Sequence, residues 1–517
     1  MKTPLSLLAI IPWISLPAVA ATAFRQPDAA KILQDLERLS VVGNVLYVAA
    51  HPDDENTRLL AYLGNEKHLR AAYLSVTRGD GGQNLIGAEQ GPLLGLIRTQ
   101  ELLAARTIDG AEQFFTRARD FGYSKTPKET LEIWGKDEVL ADMVWVIRRF
   151  KPDVIITRFP LQEGETHGHH TASTMLAVEA FHAAADPTFH PEQLKHVSVW
   201  PAKRVVWNRF FFNGPPKEPD AEGFKIDVGV YNSLLGTSYP EMAAQSRSMH
   251  KSQGFGLSAS RGPTFEYFRN LEGARTSQGL FEGVDLTWAR VPGSKKLSDL
   301  LVRARQQYQV ESPHSIIPVL LEARAELQAM PDHPWKQSKD QELVDLILSC
   351  AGVWAEAYAA DFAVPPGGEL KVTASAINRS PTAIELREVQ FVPGPKVEVH
   401  HSLPLNQPQL VEKTFSVPVS AELSNPYWLS QPPEKGKYLA PDPTLIGLPE
   451  QPAPIRVEFL FSFGPRTLRI TRPVAYKWTD PVAAERYRPV EIVPPVMINP
   501  SSSVLMFPDR KARDLRV

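Results

Sequence analysis

Short apolar runs of strand length alternate with amphipathic helical stretches over roughly residues 29 to 184. That rhythm constrains the fold more than any other feature of this chain. Ala29 to Leu39 reads as a short helix, and Asn44 to Ala50 (NVLYVAA) as a buried strand. A polar loop and a helical pattern from Glu55 to Leu69 follow. Ala71 to Thr77 is a second strand ending in a Gly-rich loop, Arg78 to Gly82. A helix over Leu93 to Thr107, a short strand at Gln113 to Thr116, a helix over Asp137 to Phe150 and a strand at Asp153 to Arg158 continue the series. Such alternation predicts an α/β fold with a mostly parallel sheet and helices on both faces. In open sheets of this kind ligands bind beyond the carboxyl ends of the strands.

The remainder is organised differently. Lys296 to Ala360 reads as helical, with Leu300, Leu301, Leu320, Leu321, Leu343, Ile347 and Trp354 as its apolar markers. Pro365-Pro366-Gly367-Gly368 punctuates the chain. Short alternating segments follow at Leu370 to Ile377, Ile384 to Phe391 and Ile455 to Phe461, separated by Pro-rich loops, and predict an antiparallel β-sandwich. The expected divisions are a signal peptide at 1–20, an α/β domain at 29–295, a helical connector at 296–360 and a β-sandwich region at 361–517. The sandwich's last stretch, Val490 to Met497, lacks a clear closing element.

The signal peptide is read from Lys2, the apolar run Leu5 to Leu16 and the small-residue site Ala18-Val19-Ala20. That run is too short for a comfortable membrane span, so the expectation is export, to the periplasm or beyond, with no transmembrane anchor. A formal net charge of −2 argues against nucleic acid as the main partner, since that requires a basic surface. Cys350 is the single cysteine. It excludes an intrachain disulfide and a cysteine-based metal site, leaving His and carboxylate as the strong ligands.

Two clusters carry chemistry. His51-Pro52-Asp53-Asp54-Glu55 closes the first strand, and His167-Gly168-His169-His170 follows the Asp153–Arg158 strand and precedes a helix over Thr171 to Ala183. Each has an ordinary reading: Asp53 or Asp54 capping a helix, and a polar turn of histidines. Both nonetheless occupy the same place in the βα pattern, on one edge of the sheet. Crowded carboxylates raise one another's pKa unless a cation joins them. His and carboxylate with an open position suit hydrolytic zinc, and also non-haem iron.

Ala50-His51-Pro52-Asp53-Asp54-Glu55 is similar to the AHPDDE signature of the LmbE-like (PIG-L) N-acetylglucosaminyl deacetylases. His167-x-x-His170 resembles that family's second His motif, and Arg98-x-x-Glu101 its Arg/Glu helix signature. Tyr239 to Gly254 (YPEMAAQSRSMHKSQG) looks like the longer, multidomain members. The resemblance implies a Rossmann-like metal hydrolase domain acting on an N-acetylated sugar or glycoconjugate. It implies one zinc ion per chain on His51, Asp54 and His170, with Asp53 as general base on the attacking water. It implies a protonated His167 facing the amide oxygen, and substrate contacts from Arg98 and from Asp120 in an Asp-x-Gly turn. One departure stands out. The usual second motif is HPDH, whereas His169 here occupies the carboxylate position and bears on the tuning of His167. Arg98 also reads as a helix-surface pair with Glu101, and Asp120 as an ordinary turn. Two rival functions share these residues: a non-haem iron enzyme, and a non-catalytic envelope glycan-binding protein.

Overall fold

The computed structural model describes residues 26–211, 223–498, 507–509, 511–512 and 514; the signal-like segment 1–20 lies outside them. Its contacts divide the chain into two units. One runs to Gly352 and also takes in Pro426–Pro452; the other comprises Val353–Asn425 and the residues from Ala453 onward.

In the first unit, the strands are β1 (Asn44–Ala49), β2 (Arg70–Thr77), β3 (Glu112–Ala118), β4 (Val154–Thr157), β5 (Arg204–Arg209), β6 (Gly223–Asp227), the two-residue pair β7 (Tyr231–Asn232) and β8 (Thr237–Ser238), and β9 (Phe265–Gly273). The main sheet has the order β3-β2-β1-β4-β5-β9-β6. Its first five strands run parallel, and β9 and β6 are antiparallel additions. This is the Rossmann-like strand order, with its reversal at β1 and β4.

The period of two along each strand separates two cores. Leu46 and Val48 of β1 face α5 (Lys136–Phe150) and α6 (Gly168–Ala185), meeting Met143, Val144, Ile147 and Leu176. Val45, Tyr47 and Ala49 face the opposite side, among Leu59, Leu60 and Leu63 of α2 (Thr57–Asn65) and Leu102 of α3 (Pro92–Asp109). Helices therefore cover both faces, as the continuous apolar strands require.

The helices expected as a connector are α8 (Lys295–Gln307), α9 (Ile317–Ala329) and α10 (Lys336–Cys350), which lie in the first unit, where α8 and α10 pack on α1 (Ala29–Arg38). Cys350 is buried, and burial pushes its thiol up to about 12, as befits a small core residue. The helical run stops there. Trp354–Ala359, read above as helix, is the strand β10. Its alanines, Ala355, Ala357 and Ala359, are all buried on one face, and pairing with distant strands overrides their local helical preference.

The second unit is built from β10, β11 (Ala363–Val364), β12 (Glu369–Ile377), β13 (Glu385–Val392), β14 (Lys396–Ser402), β15 (Pro408–Ser416), β16 (Arg456–Phe463), β17 (Arg466–Asp480), β18 (Ala484–Pro489) and β19 (Glu491–Ile492). It is a curled, mostly antiparallel sandwich. The long β17 joins its halves, pairing first with β16 and then with β10 and β18.

Pro426–Pro452 is the part of the first unit that sequence order conceals. It lies along the edge of β3, where Phe115 N–H donates to the Gly447 carbonyl (3.0 Å) and Tyr438 N–H to that of Arg117 (2.7 Å). Trp428 and Tyr438 close a small apolar cluster with Leu96 and Leu448. The sheet edge is thereby covered.

No helix among the described residues is long and apolar enough to cross a membrane.

Candidate metal centre and hydrolytic site

Four loops meet at the carboxyl end of the parallel strands. They follow β1 (His51–Asn56), β2 (Arg78–Gln83), β3 (Asp120–Ser124) and β4 (up to His167). Asp53 and Asp54 do not cap the helix after β1. Asn56 does, its side chain accepting from Leu59 N–H at 3.2 Å, which leaves both aspartates for other work.

His51, Asp54 and His170 come together. His51 Nδ1 lies 3.2 Å from Asp54 Oδ2, and His170 Nε2 lies 3.7 Å from Asp54 Oδ1. The ring of His170 stacks on Phe159, 3.7 Å between centroids and nearly parallel, which fixes its plane. His167 is the N-cap residue of α6, and its ring centroid lies 3.8 Å from that of His170. One nitrogen from each of His51, His167 and His170 falls within 4.8 Å of the others. Three imidazoles beside a carboxylate suit a divalent cation with N/O preference, which they would bind in their neutral form.

The charges of the site follow from burial and crowding. Burial works against a charged His51, but Asp120, the hydrogen bond to Asp54 and the neighbouring Asp53 outweigh it and raise its pKa to about 9. Asp54 is also disfavoured by burial, yet His170 and the hydrogen bonds with His51 hold its carboxyl below the usual range. Asp53 moves the other way: burial, then the Asp54 charge, raises its pKa despite His51 and Arg247. Burial and the charge on His51 lower His167 to about 4. Burial lowers His170 to about 3 even against the attraction of Asp54. Adjacent carboxylates with opposed shifts are the usual sign of divided roles.

The expected protonated state of His167 is thus not what the site favours. Ser124 Oγ accepts the backbone N–H of His169 (2.8 Å) and lies 3.4 Å from His167 Nδ1. A neutral His167 that accepts the Ser124 hydroxyl proton at Nδ1 carries its own proton on Nε2 and can still donate there.

His169 also differs from the sequence expectation. It does not face His167 across a hydrogen bond. Its Nδ1 lies 3.0 Å from His51 Nε2, and its ring, wholly buried, stacks on Trp134 with Phe121 edge-on. Burial and then the His51 charge lower its pKa to about 2, so it is neutral and accepts the His51 Nε2 proton. This turns His51 Nδ1 toward Asp54, the orientation a cation shared with Asp54 requires.

Of the two suggested substrate contacts, Asp120 forms the expected turn, its Oδ1 accepting Gly122 N–H at 2.8 Å. Its Oδ2 nevertheless stands 4.0 Å from His51 Nε2, so the turn borders the site. Arg98 is no surface pair. It is 3 % exposed and donates to the Gln83 carbonyl at 2.9 Å, while Glu101 instead holds Ser252, accepting its N–H (2.6 Å) and hydroxyl (2.7 Å). A Cβ at Gly82 would lie 2.6 Å from the Arg98 guanidinium, so the glycine lets the loop close over Arg98.

Sequence reasoning left three supporting groups without a role. Glu55 is wholly internal, paired with Arg106 (3.2 Å) and His250 (2.7 Å). Arg247 and Gln253 donate to backbone carbonyls of the His51–Glu55 turn. Glu55 stood in the first cluster, and the signal for Arg247 and Gln253 was the resemblance of Tyr239–Gly254 to the longer family members.

Residues 46–181 match the family described as PIG-L, GlcNAc-PI de-N-acetylase. The chain is 28 % identical over 282 residues to the 1D-myo-inositol 2-acetamido-2-deoxy-alpha-D-glucopyranoside deacetylase 1 of Catenulispora acidiphila, covering 44 % of this chain and 84 % of that protein. It is 32 % identical over 180 residues to the corresponding deacetylase of Geodermatophilus obscurus, covering 32 % of this chain and 60 % of that relative. Among solved structures, the N,N'-diacetylchitobiose deacetylase of Pyrococcus horikoshii matches at 20 % identity with a TM-score of 0.31, over 41 % of this chain and 70 % of that one.

Proposed function

We propose, on the premise that residues 46–181 are a PIG-L carbohydrate N-deacetylase domain, that this protein hydrolyses the acetamide of an N-acetylated amino sugar or its conjugate with one zinc ion per chain. The observation that carries this reading is the convergence of His51, Asp54 and His170 with a second, oppositely shifted carboxylate, Asp53, in the same turn.

His51, Asp54 and His170 hold the cation in this reading. When bound, it supplies Lewis-acid chemistry, polarising the acetamide carbonyl and acidifying water. Asp53 is the base: it takes the proton of the attacking water and later returns it to the departing amine. A raised carboxyl pKa suits both steps, since a group close to its pKa both accepts and gives a proton. His167 donates its Nε2 proton to the oxyanion that develops on the acetyl carbonyl. Asp120, in the turn after β3, meets sugar hydroxyls, while Arg98, buried on α3, shapes the site by holding the Gln83 carbonyl of the loop after β2. The signal-like first twenty residues support action outside the cytoplasm.

The test is a mass-spectrometric screen for loss of one acetyl group across N-acetylated amino sugars and their conjugates, with elemental analysis of the purified protein. Turnover that needs zinc, at about one zinc per chain, is expected. Iron in place of zinc, or a metal-loaded protein that deacetylates nothing in the panel, would overturn the proposal.

A further inference from the structure

The turn that carries Asp53 is strained. Asp53 has φ +113°, a region costly for any side-chain-bearing residue and tolerated only where the surroundings enforce it. Its surroundings come largely from one segment far away in sequence. Arg247, the last residue of α7 (Tyr239–Arg247), donates from Nη1 to the Asp53 carbonyl. Gln253 Nε2 donates to the Pro52 carbonyl at 2.8 Å. His250 Nε2 meets Glu55 Oε1 at 2.7 Å, and the other oxygen of Glu55 accepts the Asp53 N–H at 2.9 Å.

Three side chains within seven residues thus address Pro52, Asp53 and Glu55. The segment is itself pinned from two sides. Ser252 is held by Glu101 through its N–H and hydroxyl, and the Arg247 guanidinium lies 4.3 Å from the Phe255 ring centroid. The family match ends at residue 181, so this clamp is supplied from outside the matched stretch.

We propose that Arg247 and Gln253 are positioning residues for Asp53, holding the strained turn so that its carboxylate faces the cation site. This rests on the reading of Asp53 as general base. Both side chains are engaged with backbone carbonyls of the turn. Their effect passes through the peptide groups on either side of the base, whose direction would swing if φ of Asp53 relaxed.

The experiment is steady-state kinetics of R247M, R247K and Q253L in the full chain, with metal content measured on each, and a crystal structure of R247M. Misplacing a catalytic group by about 1 Å costs on the order of 100-fold. R247M is therefore expected to lose about that much in kcat, with KM within about twofold and metal retained, and R247K to recover part of the loss. Its crystal structure should show Asp53 leaving the positive-φ region. If R247M fails to fold, R247K and Q253L carry the same expectation at smaller size. Wild-type kcat in Q253L and R247K, or a loss confined to KM, overturns the inference, the latter by making Arg247 a substrate contact. Should the wild-type protein deacetylate nothing, the function above falls, and the crystal structure alone judges the clamp. An unchanged Asp53 backbone in R247M then overturns it.

Discussion

The Tyr438 hydroxyl donates to Asp80 Oδ2 at 2.8 Å, while Asp80 Oδ1 accepts the backbone N–H of Asp120 at 3.1 Å. A residue from the inserted segment Pro426–Pro452 therefore supports the turn that sets Asp120 beside His51. Asp80 is buried, and burial raises its carboxyl pKa in spite of that hydrogen bond. Removing the donor by Tyr438→Phe leaves a buried carboxylate short of a partner, which costs about 1–3 kcal/mol. Denaturant unfolding at pH 7 checks this. No loss of stability would mean that Asp80 finds another donor.

The same segment decides how the chain can be shortened. From sequence, a chain ending near Ala360 is expected to fold and stay active. In the structure it would lose the cover on β3 and strip Arg78 of its bonds to the Leu448 and Pro449 carbonyls, both 3.1 Å. Arg78 would keep Thr99 Oγ1 (3.0 Å) but lose the Trp428 ring, 4.4 Å from its guanidinium, and the apolar surface around Leu96 that the segment covers would meet water. The truncated chain should aggregate or melt far below the full-length protein. A sharp melt near the full-length value, with kcat retained, would show the segment to be dispensable.

What was legible in sequence was whatever leaves a local trace. NVLYVAA and DVIITR declare themselves because strands buried on both faces are apolar throughout, and the clusters at their ends follow from chain direction. The strand Trp354–Ala359 was not legible: Trp-Ala-Glu-Ala-Tyr-Ala suits a helix as well as a strand, and pairing with β12 and β17 decides it. Nor was the partnership of Arg78 with Pro449, 371 residues apart, since Pro-rich stretches look like loops whatever they cover. The replacement of a carboxylate by His169 was visible, but its partner was not. Only the folded loops show that it serves His51 rather than His167.

Acid stability should depend on Glu55. Burial disfavours its charged form, yet the charges of His250 and Arg106 prevail and lower its pKa from about 4.5 to about 2. A folded-state pKa below the unfolded one stabilises the protein above the unfolded value. That contribution disappears as pH falls from about 4.5 towards 2. A shift of this size is worth on the order of 3 kcal/mol. Stability measured between pH 2 and 6 should therefore climb across that window, and Glu55→Gln should flatten the climb while lowering stability at pH 7. Equal slopes in both proteins would assign acid sensitivity to other carboxylates.

Asp53 and Asp54 are neighbours with opposed shifts, and amide substitution separates a base from a ligand. Asp53→Asn keeps the side chain's shape and removes its basicity. Metal should remain at about one per chain while kcat drops about 100- to 10,000-fold, the usual contribution of general acid–base catalysis. KM should change little if the sugar binds through its hydroxyls. Asp54→Asn weakens the cation's hold, because a neutral amide is a poor ligand for zinc. Its metal content should fall, and excess zinc should restore part of its activity. His170→Ala removes another ligand and should leave the protein without metal. Elemental analysis and kinetics on the three variants, with and without added zinc, distinguish the roles. Rescue of Asp53→Asn by zinc, with none for Asp54→Asn, would exchange the two assignments. Full metal content in His170→Ala would move the cation off this residue, leaving His167, the N-cap residue of α6, as an alternative ligand.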